Sequence, residues 1–199
     1  MKNERITGME KIILSTKKEL EIYMNPVRQQ LLRILELSKE PMTPKMLSDK
    51  MGISASSIQH HIGKLMSLGL LELDHTRQIN GITAKFYKSA YAMVQIGLEH
   101  NDQWTSQREV FLQEKVAQAY EGFISHKRKV LDSNQEVRPE MVHQFGDIIT
   151  GVMHLTEEES KELFQMISQY LKAHDKPSEE KSPWEYAMIL YKAKEELDE

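Results

Sequence analysis

Between Ser54 and Lys64 the chain places Ser54, Ser56, Ser57, Gln59, His60, His61 and Lys64, interrupted only by Ala55, Ile58, Ile62 and Gly63. Hydroxyls, one carboxamide, two imidazoles and an ammonium in so short a run suit the reading of hydrogen-bond patterns better than bond-breaking chemistry. Gln59 can pair bidentately with adenine, Ser57 can donate or accept, His60 can donate to a guanine acceptor, and Lys64 can neutralise a phosphate. Ser56 and His61 lie in the same run, Thr43 and Lys45 open the preceding segment, and Arg77 and Lys85 follow it as candidate phosphate contacts. Catalysis has no comparable set. The chain has no cysteine, so a disulfide framework, a thiolate metal site and a cysteine nucleophile are all excluded. A phosphate-cradling glycine loop, a metal-ligand helix and a nucleophile elbow are also missing, so neither an enzyme nor a cofactor is expected.

For these side chains to act together they must be carried on a helix, and the spacing provides one. Ser54 is a good N-cap, Ile58, Ile62, Leu65 and Met66 recur at helical intervals, and Gly69 can take the left-handed conformation after the last turn. With Ile58, Ile62 and Leu65 inward, the outward face holds Ser56, Ser57, Gln59, His60 and Lys64. Thr43-Pro44 opens an earlier helix of about eight residues, with Met46, Leu47 and Met51 inward, that stops at Gly52. Asn25-Pro26 opens another, carrying Val27, Leu31, Ile34 and Leu35 inward and ending near Ser38. Only Gly52-Ile53-Ser54 separates the last two helices, the short turn that sets two helices at a steep angle. Leu70 to Leu73 and Ala84 to Tyr87 then read as two strands joined through Asn80-Gly81.

Outside this block the expected elements are helical. Residues 1 to 14 carry no strong helix signal, while Thr16 and Glu19 have capping-box spacing for a short helix through Tyr23. Leu112, Val116, Ala119, Tyr120, Phe123 and Ile124 form a stripe in a long helix reaching about Leu131. Further helices are expected over Pro139 to Met153, from the capping box of Thr156 and Glu159 with Leu163, Met166, Ile167, Tyr170 and Leu171 inward, and from Ser182-Pro183 with Trp184, Met188 and Tyr191 inward. The polar stretch His174 to Lys181 reads as a linker.

Charge divides the chain in the same way. Residues 25–89 hold nine basic and five acidic side chains, net +4, whereas residues 93–199 hold twelve basic and twenty-one acidic, net −9, within a total of −4. Contact with a polyanion should therefore come from the first half, the acidic half facing away or toward partners. The apolar runs are too short to cross a bilayer and the N-terminus has no secretory pattern, so a cytoplasmic location without membrane contact is expected.

Three helices, a glycine turn and a hairpin in this order resemble the ArsR-like winged-helix regulators. The resemblance is carried by Asn25-Pro26-Val27-Arg28 with Leu32, Ile34 and Leu35, and by Ser54-Ala55-Ser56-Ser57-Ile58-Gln59-His60-His61-Ile62-Gly63-Lys64-Leu65 closing on Leu68-Gly69-Leu70. It implies a mainly α fold, a winged helix-turn-helix with a two-stranded wing followed by an all-helical C-terminal region, divided here as 1–92 and 93–199. It further implies a homodimeric repressor or activator on double-stranded DNA, with Gln59 and His60 near the bases and His61 at the DNA surface. Arg77, Lys85 and Tyr87 match the family's wing in kind. Leu155 to Leu171 is similar to a helix of longer members. Metal-sensing members use cysteines or Asp/His pairs on a dimerising helix; His100 and His126 lack such partners, so no metal is expected.

Each reading has a plainer competitor. A His pair in isolation is more often simply polar surface, and the helix pattern is what favours contact for His60 and His61. Arg28 could pair with a carboxylate rather than with DNA. The twelve Met suit adaptable core filling, or together with aromatic residues the lining of a pocket for a small apolar effector among the C-terminal helices. The whole winged helix could dock another protein instead of DNA.

Overall fold

The computed structural model describes residues 3–4, 11–97, 101–132 and 146–193. Its first strands are short: β1 (Asn3–Glu4) pairs antiparallel with β2 (Lys11–Ile13), and β2 runs parallel to β5 (Met93–Gln95). Strands of two and three residues are too brief for alternation to announce them. Each of the next four helices is set by a cap that the sequence carries. At α1 (Lys17–Tyr23) the Thr16 hydroxyl accepts from Glu19 N at 3.3 Å and the Glu19 carboxylate accepts from Thr16 N at 3.0 Å, closing the capping box. For α2 (Pro26–Leu37) Asn25 Oδ1 accepts from Arg28 N at 3.2 Å, with Pro26 at the first position.

Among the described residues Arg28 pairs with no carboxylate. Its Nε donates to Ile22 O and its Nη2 to Glu21 O at 2.8 Å, so the guanidinium covers carbonyls at the end of α1. Those carbonyls have no partner within their own helix, and a cation there also complements the negative end of its dipole. Burial pulls the Arg28 pKa below its ordinary value.

Helix α4 (Ala55–Ser67) packs on both α2 and α3 (Pro44–Met51), and the side chains of this core are almost wholly shielded, Leu31 and Leu35 from α2, Leu47 from α3, and Ile58, Ile62 and Leu65 from α4. Burying each such side chain contributes about 1.5–3 kcal/mol before chain entropy is counted. Of the expected core positions, Val27, Ile34 and Met51 are only half-buried, and two stand exposed. Met46 is 41% exposed and Met66 39%, because α3 and α4 need only a narrow stripe for their mutual contact and both residues fall beside it. Leu68 and Leu70, flanking Gly69 in its left-handed conformation, are buried instead.

The hairpin is longer than the apolar pattern alone defines. β3 (Leu71–Ile79) and β4 (Ile82–Ser89) pair up to Ile79 and Ile82, and Asn80 and Gly81 have φ of +49° and +79°. Two successive positive φ values form the tight turn whose twist matches a hairpin, so the ladder continues outward through residues with no buried face. A one-residue irregularity between Leu73 and His75 interrupts the register. At the base, Met42 pairs with Tyr87 through two backbone bonds of 2.9 Å, fastening the hairpin to the segment that leads into α3.

Beyond the hairpin, α5 (Thr105–Asp132) and α6 (Glu157–Ala173) form where expected, α6 closing its capping box between Thr156 and Glu159. The apolar stripe of α6 is only partly covered: Leu163, Ile167 and Leu171 are half-buried, Met166 and Tyr170 are exposed, and no residue of this helix is fully buried. Val116 and Tyr120 of α5 are also exposed. Two expected helices are corrected. Residues 146–153 carry no regular structure, while 139–145 of the same expected helix lie outside the described residues. Residues 182–193 carry none either, and Trp184, Met188 and Tyr191 stand open to solvent. A first-turn signal supplies little when no neighbouring surface covers the apolar face, because short helices owe most of their stability to that packing.

Contacts cluster into two units, one of Met1–Arg108 with His154–Pro183 and one of Glu109–Met153 with Trp184–Glu199. In the first, buried Arg108 pairs with Asp102 at 3.0 Å and Lys39 Nζ donates to Glu179 O at 2.8 Å. In the second, Gly146 lies against the rings of Phe123 and Trp184. Among the described residues, no helix is long and apolar enough to cross a membrane.

Candidate nucleic-acid interface

The interface is built from the turn between α3 and α4. Gly52 ends α3 at φ +69°, a conformation that costs a glycine nothing, and the Ser48 hydroxyl donates to Ile53 O at 2.6 Å across the turn. Ser54 then caps α4 by accepting from Ser57 N at 3.2 Å, and its hydroxyl lies 3.0 Å from that of Ser56. Ser54 and Ser56 therefore spend part of their hydrogen-bonding capacity on the helix start. Thr43 is similarly occupied, accepting from Met46 N at 3.2 Å as the cap of α3.

Because Ile58, Ile62 and Leu65 are completely shielded, the opposite side of α4 is fixed in direction. Ser56, Gln59 and His60 are exposed there, and Ser57 and Lys64 are half-exposed. Lys64 makes no ion pair among the described residues, whereas Lys45 on α3 pairs with Asp49 one turn along. Exposed pairs of this kind are weak, so Lys45 can exchange Asp49 for another anion at little cost.

His61 stands apart from its neighbours. Its ring meets that of His60 edge-on at 5.7 Å, it is half-buried, and its Nδ1 is shut away without a hydrogen-bond partner among the described residues. Desolvation, then the charges of Arg28 and His60, hold its pKa below the ordinary histidine value. The neutral ring is thus favoured.

The wing supplies the second pair of cations. Arg77 lies opposite Ala84 and Lys85 opposite Thr76, so strand alternation sends Arg77 and Lys85 to opposite faces of the hairpin, both exposed. Lys88 nearer the base is committed elsewhere, with Asp74 at 2.8 Å and Glu72 at 3.3 Å. Those hydrogen bonds raise the Lys88 pKa, and bonds from Lys88 and His75 lower that of Asp74. Next to them the His75 ring stacks on Phe86 at 4.4 Å.

Tyr87 was visible in the sequence only as a wing residue. Its side chain reaches back to α4, where Gln59 Nε2 donates to its hydroxyl oxygen at 3.3 Å. No local pattern announces a contact between residues 28 positions apart.

Residues 23–74 match the family model described as a helix-turn-helix domain. This segment is a helix-turn-helix domain. With β3 and β4 behind it, the helix-turn-helix domain takes the winged form. Among solved structures, the chain is similar to NolR from Sinorhizobium fredii, at 30% identity over 37% of this chain and 66% of that one, with a TM-score of 0.29. It therefore spans just under two thirds of the length of NolR. It is also similar to a "possible transcriptional regulator" from Methanosarcina mazei Go1, at 13% identity over 54% of this chain and 79% of that one, with a TM-score of 0.31. No curated protein matches it.

Among the described residues of the C-terminal half the site is of another kind. A concavity lined by Tyr120, Glu121, Ile124, Ser125, Arg128, Lys129 and Asp132 draws all its walls from α5, which makes it a groove on one helix rather than an enclosure. Among the described residues no three His, Asp or Glu side chains gather as a metal site.

Proposed function

We propose that the chain is a transcription regulator that binds double-stranded DNA in a sequence-dependent way, as a homodimer. The observation that carries this reading is the uncovered polar side of α4, held rigidly by Ile58, Ile62 and Leu65 within a helix-turn-helix domain. Helix α4 enters the major groove, with Ser56, Ser57, Gln59 and His60 toward base edges and Lys64 toward a phosphate. Thr43 and Lys45 approach the backbone from the start of α3, and Arg77 and Lys85 from the wing. Because these two point to opposite faces of the hairpin, they reach different phosphates or opposite walls of one groove. His61 serves through its neutral ring at the edge of the contact. Residues 1–92 act as the DNA-binding part and residues 93–199 as the dimerising part, whose exposed apolar side chains suit a second copy and could also receive a small apolar effector. No catalytic step is assigned.

The test begins by selecting a preferred duplex from a random pool with the full chain. Lys64→Ala is expected to weaken the selected and a scrambled duplex alike and to lower the salt slope by about one. Gln59→Ala is expected to narrow the gap between the two duplexes. If neither variant changes binding, α4 is not the contact surface. The net charge of −4 favours a second reading, in which the winged helix docks a protein. That reading predicts passage through a heparin column at low salt without retention.

A further inference from the structure

Gln59 is the one proposed base-reading side chain whose polar end is bonded to a residue of the wing. The partner is well placed to hold it. Tyr87 is 3% exposed, and its backbone is locked on both sides, by its ladder pairing with Leu73 and by the two 2.9 Å bonds to Met42. A phenol on such an anchor has little freedom, unlike a carboxamide at the end of an exposed side chain. A glutamine amide has two N–H groups and one carbonyl oxygen. With one N–H given to Tyr87, the other N–H and the oxygen remain, which is the pair a bidentate contact with adenine requires.

We propose that Tyr87 is a positioning residue for base recognition: through its hydroxyl it holds the Gln59 carboxamide in the orientation that reads a base, and so ties the wing to the recognition helix. This rests on the reading of α4 as the major-groove helix. The benefit is one of preorganisation, since a side chain already held in its bound rotamer loses less freedom on contact. It also predicts that the bond matters for discrimination between sequences and not for attraction to phosphates, because Tyr87 itself is too buried to touch DNA.

The experiment is a double-mutant cycle on the full chain with Tyr87→Phe, Gln59→Ala and both together. Binding is measured by fluorescence anisotropy on the duplex selected by the wild-type chain and on a scrambled duplex. Thermal unfolding is followed in parallel, because Phe keeps the ring and its packing. Tyr87→Phe is expected to weaken the selected duplex about fivefold, the scale of one neutral hydrogen bond, and to leave the scrambled duplex unchanged. In the Gln59→Ala background the same change is expected to have no effect. A Tyr87→Phe loss that is equal on both duplexes, or that persists without Gln59, overturns the positioning role while leaving α4 as the reader. Unchanged or tighter selected binding by Tyr87→Phe overturns it as well. If Gln59→Ala leaves discrimination intact, the base contact itself fails and the positioning role falls with it.

Discussion

Two stretches of this chain treat their apolar residues in opposite ways. Among the described residues, every buried hydrophobic side chain except Phe111 lies between Ile12 and Ile96, where leucines and isoleucines of successive helices close on one another. Among the described residues from Thr105 to Tyr191 many large apolar side chains stand in solvent, with Tyr191 77% and Ile149 91% exposed, while Leu112, Phe123, Ile124, Leu163, Ile167 and Leu171 are half-buried. Scattered exposed apolar residues are ordinary, whereas a contiguous apolar patch marks a contact surface, the role proposed for this region. The first stretch satisfies itself and can therefore present a fixed polar helix outward. The second has formed α5 and α6 while leaving their apolar sides only partly covered, which suits the dimerising role proposed for it.

That contrast can be broken in a graded way. Ile62→Ala, which removes a fully shielded side chain from α4, is expected to cost about 2–5 kcal/mol in chemical denaturation. Met166→Ala on α6 is expected to change the stability of the dilute chain by less than about 0.5 kcal/mol, as for an exposed position. A similar cost at both sites would mean that α6 is packed in solution. An intermediate effect is expected from Ser54→Ala, about 1 kcal/mol through loss of the α4 cap, seen as a lower midpoint in the same assay.

Placing Asp at both Met166 and Tyr170 sharpens the comparison from the other side. It is expected to leave folding of the helix-turn-helix domain intact and to shift sedimentation of the chain from the proposed dimer to a monomer. Unchanged sedimentation would remove α6 from the dimer contact.

The smallest effect expected is on pH dependence. His61 has a folded pKa held below its unfolded value, so the unfolded chain binds the proton first as pH falls. Its contribution to stability is present above the ordinary histidine pKa, is lost as pH drops below it, and levels off once pH passes the depressed folded value. Thermal unfolding from neutral to mildly acidic pH should therefore fall less steeply in His61→Gln than in the wild type. Identical slopes would show that His61 is open to protonation in the folded chain.

What the sequence discloses depends on whether a signal is self-contained. Caps and tight turns are settled within about four residues, and all of Thr16, Asn25, Thr43, Ser54 and Thr156 cap the helices expected of them. Asn80-Gly81 likewise makes the hairpin turn, while the length of the ladder behind it depends on pairing across strands. The bridge from Met42 to Tyr87, the sheet of β1, β2 and β5, and the reach of Arg28 to the carbonyls of α1 are non-local, and no spacing rule encodes them. The helix expected after Ser182 illustrates the converse. Its first-turn residues are correct, yet residues 182–193 carry no regular structure, and Trp184, Met188 and Tyr191 stay largely exposed even though Gly146 lies near the Trp184 ring. For the candidate interface, the direction of α4 was legible from Ile58, Ile62 and Leu65, whereas the seclusion of His61 and the hold of Tyr87 on Gln59 needed coordinates.

The central claim is that the polar side of α4 lies against duplex DNA, and photo-cross-linking addresses it most directly. A photoreactive side chain is introduced at position 60 on α4 in one protein and at position 149 in another, and each is irradiated with the selected duplex under conditions where anisotropy shows it bound. Cross-links to bases from position 60 and none from position 149 are the predicted result. Bound duplex that cross-links from 149 and not from 60 would contradict it.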